Sequence, residues 1–447
     1  MNASAANDTL EKTRQLQRTL YRAAKASPTR RFHALYDKVV REDLLARAWQ
    51  EVKANAGAAG IDGQTIETIE QHGVKGFLEE LATELQEGRY RPVAVRRVFI
   101  PKADGKQRPL GIPTVRDRVV QAAAKPRVAG TPVLEPLFEA DFRESSYGFR
   151  PKRSAHQAVE RLRQVVNRGY GWIVDADIQA FFDRIDHTVL MGLVAKRVSD
   201  RRLLKLVEYW LEAGVLEAGA IQPTAEGVPQ GGVISPLLAN VVLHELDRFW
   251  ERHGRHLGHL VRYADDFVVL CGTEANAQEA LRLVGNCLTG VGLTLHPEKT
   301  CVVFVGDGTQ GFDFLGFHHR KVESWRYRGK RYLHQWPSRR AMQRVRERLK
   351  VLTAPRHRLP EPVSRVVDGV NRLVRGWGTY FRVGNATRHF RQVDNYVRER
   401  LSLFLRKKRG RAGRGWKGLN LAFFDRLGVY HLTGTVVWAT APPRATR

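Results

Sequence analysis

Two adjacent carboxylates, Asp265 and Asp266, sit in the tetrapeptide Tyr263-Ala264-Asp265-Asp266, inside the apolar run Val261 to Leu270. Phe267 to Leu270 read as a buried strand, and burying two like charges without a partner is costly. A divalent cation removes that cost. Two strands meeting at a tight turn, with Ala264 to Asp266 at its tip, would present both carboxylates on one sheet edge, as oxygen-loving Mg²⁺ requires. A solvated hairpin turn, where Asp is common, would show the same pair, so the rest of the chain has to decide.

A second acidic cluster, Asp175-Ala176-Asp177-Ile178-Gln179-Ala180-Phe181-Phe182-Asp183, begins in another apolar strand, Trp172 to Val174. On a strand Asp175 and Asp177 share a face, so either could point towards the hairpin acids. Three convergent carboxylates can hold two Mg²⁺ ions, on the order of 3.5–4 Å apart, that clamp the attacking and leaving oxygens of a phosphoryl displacement. Asp183 and Asp186 read instead as caps of the helix that follows.

Positioning these acids requires a frame of strands and helices. Residues 1–34 read as a basic arm, loosely ordered or partly helical. Leu35, Val39, Leu44, Ala48 and Trp49 recur at near-helical spacing, and a second helix is expected near Ile66 to Leu85. Strands are expected at Val95 to Pro101, followed by the Asp104-Gly105 turn, and at Ile173 to Ile178, Val261 to Leu270 and Thr300 to Val305. Helices are expected over 116–124 and near 154–167, 187–213, 235–252 and 275–289. The mixed pattern ends near residue 335. Beyond it Val366, Val370, Leu373, Trp377 and Phe381, then Phe390, Val393, Val397, Leu401 and Phe404, predict a small helical domain. Arg406 to Gly415 reads as a basic, Gly-rich loop.

The chain has 447 residues and a formal charge of +28, and residues 321–447 carry 31 Lys/Arg against 7 Asp/Glu, so +24 lies there. Trp325, Trp336, Trp377, Tyr380, Phe381 and Trp416 are interleaved with those cations. A polyanion that also stacks, namely nucleic acid, suits this better than an acidic protein or a membrane surface. No apolar stretch approaches the roughly 20 residues that span a bilayer, and the N-terminus shows no apolar signal core, so a cytoplasmic location is expected. Cys271, Cys287 and Cys301 form no CxxC pair, which argues against a disulfide framework or a zinc finger.

Asp177 with Phe181-Phe182-Asp183, then Pro229-Gln230-Gly231-Gly232-Val233-Ile234-Ser235-Pro236-Leu237-Leu238-Ala239-Asn240, then Tyr263-Ala264-Asp265-Asp266, in that order, resemble the palm of reverse transcriptases. More narrowly, the chain resembles bacterial group II intron reverse transcriptases and maturases over residues from about 35 to 430. The resemblance implies an α+β right-hand polymerase, with fingers and an antiparallel palm sheet over 35–335 and an α-helical thumb or maturase domain with a basic tail over 336–447. It implies that Asp177, Asp265 and Asp266, with the main-chain carbonyl of Ile178, bind two Mg²⁺ ions. Phe182 stands where the family places a ring that favours dNTPs over rNTPs, with Phe181 as packing partner or in the exchanged role. Gln230 and its glycine turn would meet the incoming nucleotide and primer end. Lys102 and Arg108 are the candidates for the triphosphate, and Lys299, in His296-Pro297-Glu298-Lys299-Thr300, the candidate general acid. Arg116, Arg118, Arg150 in Ser145-Ser146-Tyr147-Gly148-Phe149-Arg150, and Arg375 in Arg375-Gly376-Trp377 would meet RNA.

The implied partners are the intron RNA, an RNA template with a DNA primer, dNTPs and a DNA target; oligomeric state stays open. The segment Lys125 to Val133, with two prolines and a glycine, departs from the family's continuous helix, and deleting Pro126 to Thr131 is expected to leave activity equal or improved. A Cys- and His-rich endonuclease domain is not expected, so the priming nick or fork would come from the host. Two other readings remain: a splicing or RNA-binding cofactor whose polymerase site is idle, and a domesticated reverse transcriptase of phage defence or CRISPR spacer acquisition. An RNA-dependent RNA polymerase fits less well, because Phe182 would obstruct rNTPs.

Overall fold

The structure is a computed structural model that describes residues 3–101, 107–124, 133–217, 220–222, 226–410 and 419–437. Two compact units divide the chain, one of residues 1–158 and 174–301, the other of 159–173 and 302–447. Lys102, Lys106, the Asp104-Gly105 turn, Pro126 to Thr131 and Trp416 lie outside the described residues.

In the first unit, the segment read as a loosely ordered or partly helical arm contains a 24-residue helix, α1 (Ala3–Ala26). Leu20 and Ala24 are buried, and Arg197 donates to the carbonyls of Ala24 and Ser27 at 2.8 and 2.9 Å, supplying partners that a helix end otherwise lacks. Helices α2 (Tyr36–Val39), α3 (Glu42–Ala54), α4 (Ile66–His72) and α5 (Val74–Gln86) follow. The α3 stripe of Leu44, Leu45, Ala48, Trp49 and Val52 is buried, as its three-and-four spacing requires. Strands β1 (Val95–Pro101) and β2 (Gln107–Ile112) pair antiparallel from Arg96↔Ile112 to Pro101↔Gln107. Next come α6 (Val115–Ala124), which packs on α3, and α7 (Glu135–Glu139); α8 (Ala155–Asn167) and β3 (Trp172–Ala176) follow in the chain, with residues 159–173 counted in the second unit. At the flanks of the departing segment, the Leu134 N–H donates to the Ala124 carbonyl at 3.2 Å.

The long helix expected near 187–213 is two, α9 (His187–Ala195) and α10 (Arg201–Glu212). Asp200 divides them, because its carboxylate caps α10 through the N–H groups of Arg202 and Leu203 and also accepts from Leu35 and Tyr36 at 2.8 Å. Asp186 caps α9 by accepting from the Val189 N–H at 2.7 Å. Asp183 does not cap it; it ends a single 3₁₀ turn, Phe181–Asp183. Strands β4 (Val215–Glu217) and β5 (Ala220–Gln222) complete a sheet of order β2-β1-β4-β5, in which β1 and β4 run parallel.

Helix α11 (Ser235–Phe249) ends in a π turn and leads to the hairpin of β6 (Gly258–Tyr263) and β7 (Asp266–Cys271), antiparallel from Gly258↔Cys271 to Tyr263↔Asp266. Helix α12 (Glu274–Thr289) and strand β8 (Cys301–Phe304) follow, and the palm sheet has the order β6-β7-β3-β8.

In the second unit, β9 (Gly311–Phe314), β10 (Phe317–Glu323) and β11 (Arg331–Pro337) form a sheet of order β11-β10-β9, and α13 (Arg339–Thr353), α14 (Val363–Phe381), α15 (Thr387–Lys408) and α16 (Leu421–Arg426) follow. Residues 302–335, read as the end of the palm, group with these helices. The cause is aromatic packing: the Phe317 ring lies 5.5 Å from Tyr380 and 4.9 Å from Phe381, and the Tyr380 hydroxyl donates to the Leu315 carbonyl at 2.8 Å. The α15 stripe Phe390, Val393, Val397, Leu401 and Phe404 is buried throughout. On α14 the buried face is Val366, Val367, Val370, Val374, Gly378 and Phe381, while Leu373 and Trp377 are half-buried at its margin.

Candidate active site

The Tyr263↔Asp266 pair closes the β6–β7 hairpin, leaving Ala264 and Asp265 as a two-residue turn. Ala264 has φ 57°, the left-handed conformation that such tight hairpins demand. Asp265 is half-buried at the tip, and Asp266, the first residue of β7, is exposed. Burial, reinforced by the charge of Asp177, pushes the Asp265 carboxyl above its ordinary range, while Arg108 and Arg262 act in the opposite direction. The structure therefore brings Asp177 and Asp265 within each other's field. Asp175 stands elsewhere, where its charge bears on Cys301.

Asp177 lies just past the end of β3 and is clamped by the segment 294–300. Its carbonyl accepts from the His296 N–H at 2.7 Å, the Gln179 N–H donates to the Thr294 carbonyl at 2.9 Å, and Ile178 bridges Leu295. Lys299 Nζ donates to Asp177 Oδ2 at 2.8 Å, so this ammonium is tied to one of the two acids. Among the described residues no three Asp, Glu, His or Cys side chains converge as a metal-ligand group. The expected convergence of three carboxylates is therefore not seen among the described residues; what links the two clusters is the charge of Asp177 acting on Asp265, with Asp266 exposed one residue further on. Two carboxylates offering only oxygen donors, one of them raised chiefly by burial and further by the other's charge, suit a hard divalent cation.

The turn is held from beneath by a network that the sequence reading missed. Arg262 is fully buried; its Nε donates to Asp247 Oδ1 at 2.9 Å, its Nη2 pairs with Asp247 Oδ2, and its Nη1 donates to Asn240 Oδ1 and the Ala264 carbonyl, both at 3.0 Å. Asn240 Nδ2 in turn donates to the Gly148 carbonyl at 2.9 Å. The Ser145–Tyr147 backbone pairs with Arg262, through Arg262 N–H to Ser145 O and Tyr147 N–H to Arg262 O, both 2.8 Å. A Cβ on Gly148 would stand 2.4 Å from the Ala264 nitrogen, so only glycine admits this approach. The signal in the sequence was an arginine alone among apolar residues, Leu260-Val261-Arg262, which must be paired if buried.

Across the site, Arg108 on β2 donates from Nε to Gln230 Oε1 at 2.8 Å, and the Gly111 N–H donates to the Gln230 carbonyl at 2.7 Å. Gly231 has φ 114°, and a Cβ there would meet the Gly111 carbonyl at 2.6 Å, so the glycine turn lies directly on the β1–β2 hairpin. A cleft of about 250 Å³ is lined by Arg97, Pro109, Gly111, Phe182, Gly227 and Gln230, among others. Phe182 is half-buried in its wall, and Phe181 is buried behind it, with ring centres 5.1 Å apart at 70°.

Three of the arginines expected at RNA have partners within the protein. Arg150 is buried, and its guanidinium grips Glu139, with Nη2 to Oε1 at 2.7 Å and Nε to Oε2 at 2.9 Å. Arg118 is buried with Nη2 on the Ala58 carbonyl, and Arg116 pairs with Glu84 beside the Tyr90 ring. The Arg150 and Arg118 donors are committed to the fold, whereas Arg116 is half-buried. Arg375 is exposed on α14, 4.8 Å from the centre of the Tyr430 ring.

Residues 100–319 match the family described as reverse transcriptase (RNA-dependent DNA polymerase), and residues 342–421 match the group II intron, maturase-specific domain. Protein YkfC of Escherichia coli (strain K12) is 35% identical over 348 residues, 69% of this chain and 88% of that protein. Group II intron-encoded protein LtrA of Lactococcus lactis subsp. cremoris is 38% identical over 221 residues, 49% of this chain but 35% of that protein. A solved chain of a partial Cas6-RT-Cas1–Cas2 complex aligns with 57% of this chain and 41% of its own length, at 24% identity and a TM-score of 0.35. The chain belongs to the group II intron reverse transcriptase and maturase family, a family of RNA-directed DNA polymerases that use divalent metals. No helix among the described residues is long and apolar enough to cross a membrane.

Proposed function

We propose that the first unit copies an RNA template into DNA at the Asp177–Asp265 edge, and that the second unit binds the group II intron RNA to assist splicing and mobility. The observation that supports the reading is an Asp265 carboxyl within the field of both Asp177 and Arg108, with Arg108 bonded to Gln230, which lines the same cleft as Phe182. Asp177 and Asp265, with Asp266 and the Ile178 carbonyl, are the groups that would hold two Mg²⁺ ions. Such ions, when bound, favour ionisation of the primer 3′-hydroxyl and neutralise the leaving pyrophosphate.

In the reaction the primer oxygen bonds to the α-phosphorus of a dNTP, the bond to pyrophosphate breaks, and the hydroxyl proton is lost. Arg108, steadied by Gln230, takes phosphate oxygens with its free N–H groups. Phe182 excludes a 2′-hydroxyl by bulk and by leaving it without a hydrogen-bond partner. Lys299, standing on Asp177, is the group from which the departing pyrophosphate would take a proton. On the second unit the cations of α13 to α15, Arg375 among them, meet RNA phosphates.

Primer extension tests this directly. With an RNA template, DNA primer and Mg²⁺, dNTPs should be incorporated in preference to rNTPs, and Phe182→Ala should raise relative rNTP use by on the order of 10- to 100-fold. A folded wild-type chain that leaves the primer unextended would overturn the polymerase reading and favour an RNA-binding cofactor with an idle site.

A further inference from the structure

The tip of the β10–β11 hairpin is an ordered, cationic platform with a tryptophan held out in water. The strands pair as far as Glu323↔Arg331. Beyond that pair the Ser324 N–H donates to the Lys330 carbonyl at 2.8 Å and the Lys330 N–H to the Tyr327 carbonyl at 3.1 Å. Ser324 Oγ accepts from the N–H groups of Arg326 and Tyr327, both at 3.2 Å, and Glu323 accepts from the Gly329 N–H at 3.1 Å. This loop is fixed by its own hydrogen bonds, yet Trp325 is 94% exposed and Tyr327 51%. An indole kept in water forgoes one of the largest hydrophobic gains available to a side chain.

Charge indicates what covers it. Between residues 320 and 332 stand Arg320, Lys321, Arg326, Arg328, Lys330 and Arg331, against Glu323 alone. Arg326 and Lys330 gather at the Tyr327 ring, 5.8 and 5.9 Å from its centre, which leaves the Trp325 faces open. An acidic protein would satisfy the cations without needing the indole, and a membrane would need an apolar cluster rather than one ring. Base pairs inside a duplex have both faces covered by their neighbours, whereas a base in an RNA loop or bulge offers its face beside its own phosphate.

We propose that this tip docks on unpaired nucleotides of RNA, with Trp325 stacking on a base and Arg326, Arg328 and Lys330 taking the flanking phosphates. The inference rests on the RNA-binding reading of the second unit. The test uses the full chain, a stem-loop RNA, and the same stem as a blunt duplex. Trp325→Ala should weaken stem-loop binding by roughly tenfold or more and change duplex binding less than about twofold, with Trp325→Phe recovering much of the loss. The triple change Arg326→Gln, Arg328→Gln, Lys330→Gln should flatten the salt dependence by about 0.7 in log–log slope for each phosphate no longer neutralised. Thermal melts of the variants should match the wild type, because the ring is in water. Equal losses on both RNAs, unchanged stem-loop binding by Trp325→Ala, or Trp325-dependent binding to phosphatidylserine vesicles with none to RNA would each overturn the inference. If the wild-type chain binds neither RNA, the RNA-binding reading falls with it; if it binds and Trp325→Ala binds identically, only the tip assignment falls.

Discussion

Gly148 sets how closely the chain approaches the carboxylate turn. A methyl group there would meet the Ala264 nitrogen at 2.4 Å and the Tyr263 carbonyl carbon at 2.9 Å, and backbone cannot step aside as a flexible side chain would. Gly148→Ala should therefore displace the turn that carries Asp265. Since about 1 Å of misplacement can cost on the order of 100-fold in rate, kcat for primer extension should fall at least tenfold in a protein that still folds. Unchanged kcat would show that the turn tolerates the shift. At this scale the sequence was informative about type and less so about commitment. Two acidic clusters stand out in the sequence because unpaired acids in apolar strands require a partner, but the residues alone left Asp175 and Asp177 as alternatives. The partners of Arg150 and Arg118 were not legible, because an arginine in a motif looks the same whether it faces RNA or, as here, engages Glu139 and the Ala58 carbonyl.

The β6–β7 hairpin and α11 act as one element through Arg262 and Asp247, whose side chains are both fully buried. A buried pair of this kind adds little net stability, but removing one partner strands the other charge at a cost of roughly 3–5 kcal/mol. Asp247→Ala should destabilise by about that amount in denaturant unfolding, and Asp247→Ala with Arg262→Met should recover much of it. The double variant should still polymerise poorly, because the Ala264 carbonyl loses its donor. Full activity in the double variant would reduce the network to a packing device. Strands and helices were largely visible in periodicity, including the α15 stripe and the β6–β7 hairpin. The break at Asp200 was not, because the residue reads as an ordinary polar position until the N–H groups of Leu35 and Tyr36 come to it from far along the chain. Likewise the end of α1 is held by distant Arg197, which donates to the Ala24 carbonyl and to those of Ser27 and Pro28 beyond it, an interaction no local pattern reveals.

Over the whole molecule, each compact unit buries a neutral histidine. Burial, with Arg143, Arg262, Arg248 and Arg150 nearby, lowers His244 to about 3, and burial lowers His319 to about 4. Both fall below the unfolded value of about 6.5, so the unfolded chain takes up protons first as pH drops. Stability is then fully present above about pH 6.5 and is lost towards pH 4, at up to about 1.4 kcal/mol per pH unit for each histidine. Melts from pH 7 to 5 should show this decline, and His244→Phe should make it shallower; an identical slope in that variant would exclude His244 as a source. Charge follows the same division, since most of the net +28 lies in residues 321–447 while the acid pair belongs to the first unit. Composition alone thus foretold a nucleic-acid partner, whereas the grouping of 302–335 with the helices depended on Phe317 packing that no composition shift marks. The central claim, that Asp177 and Asp265 form the metal-dependent centre of RNA-templated DNA synthesis, is met most directly by primer extension across a Mg²⁺ titration with the wild type and Asp265→Asn. The wild type should make cDNA in proportion to bound Mg²⁺ and the folded variant none at any concentration; cDNA from Asp265→Asn at the wild-type rate would contradict it.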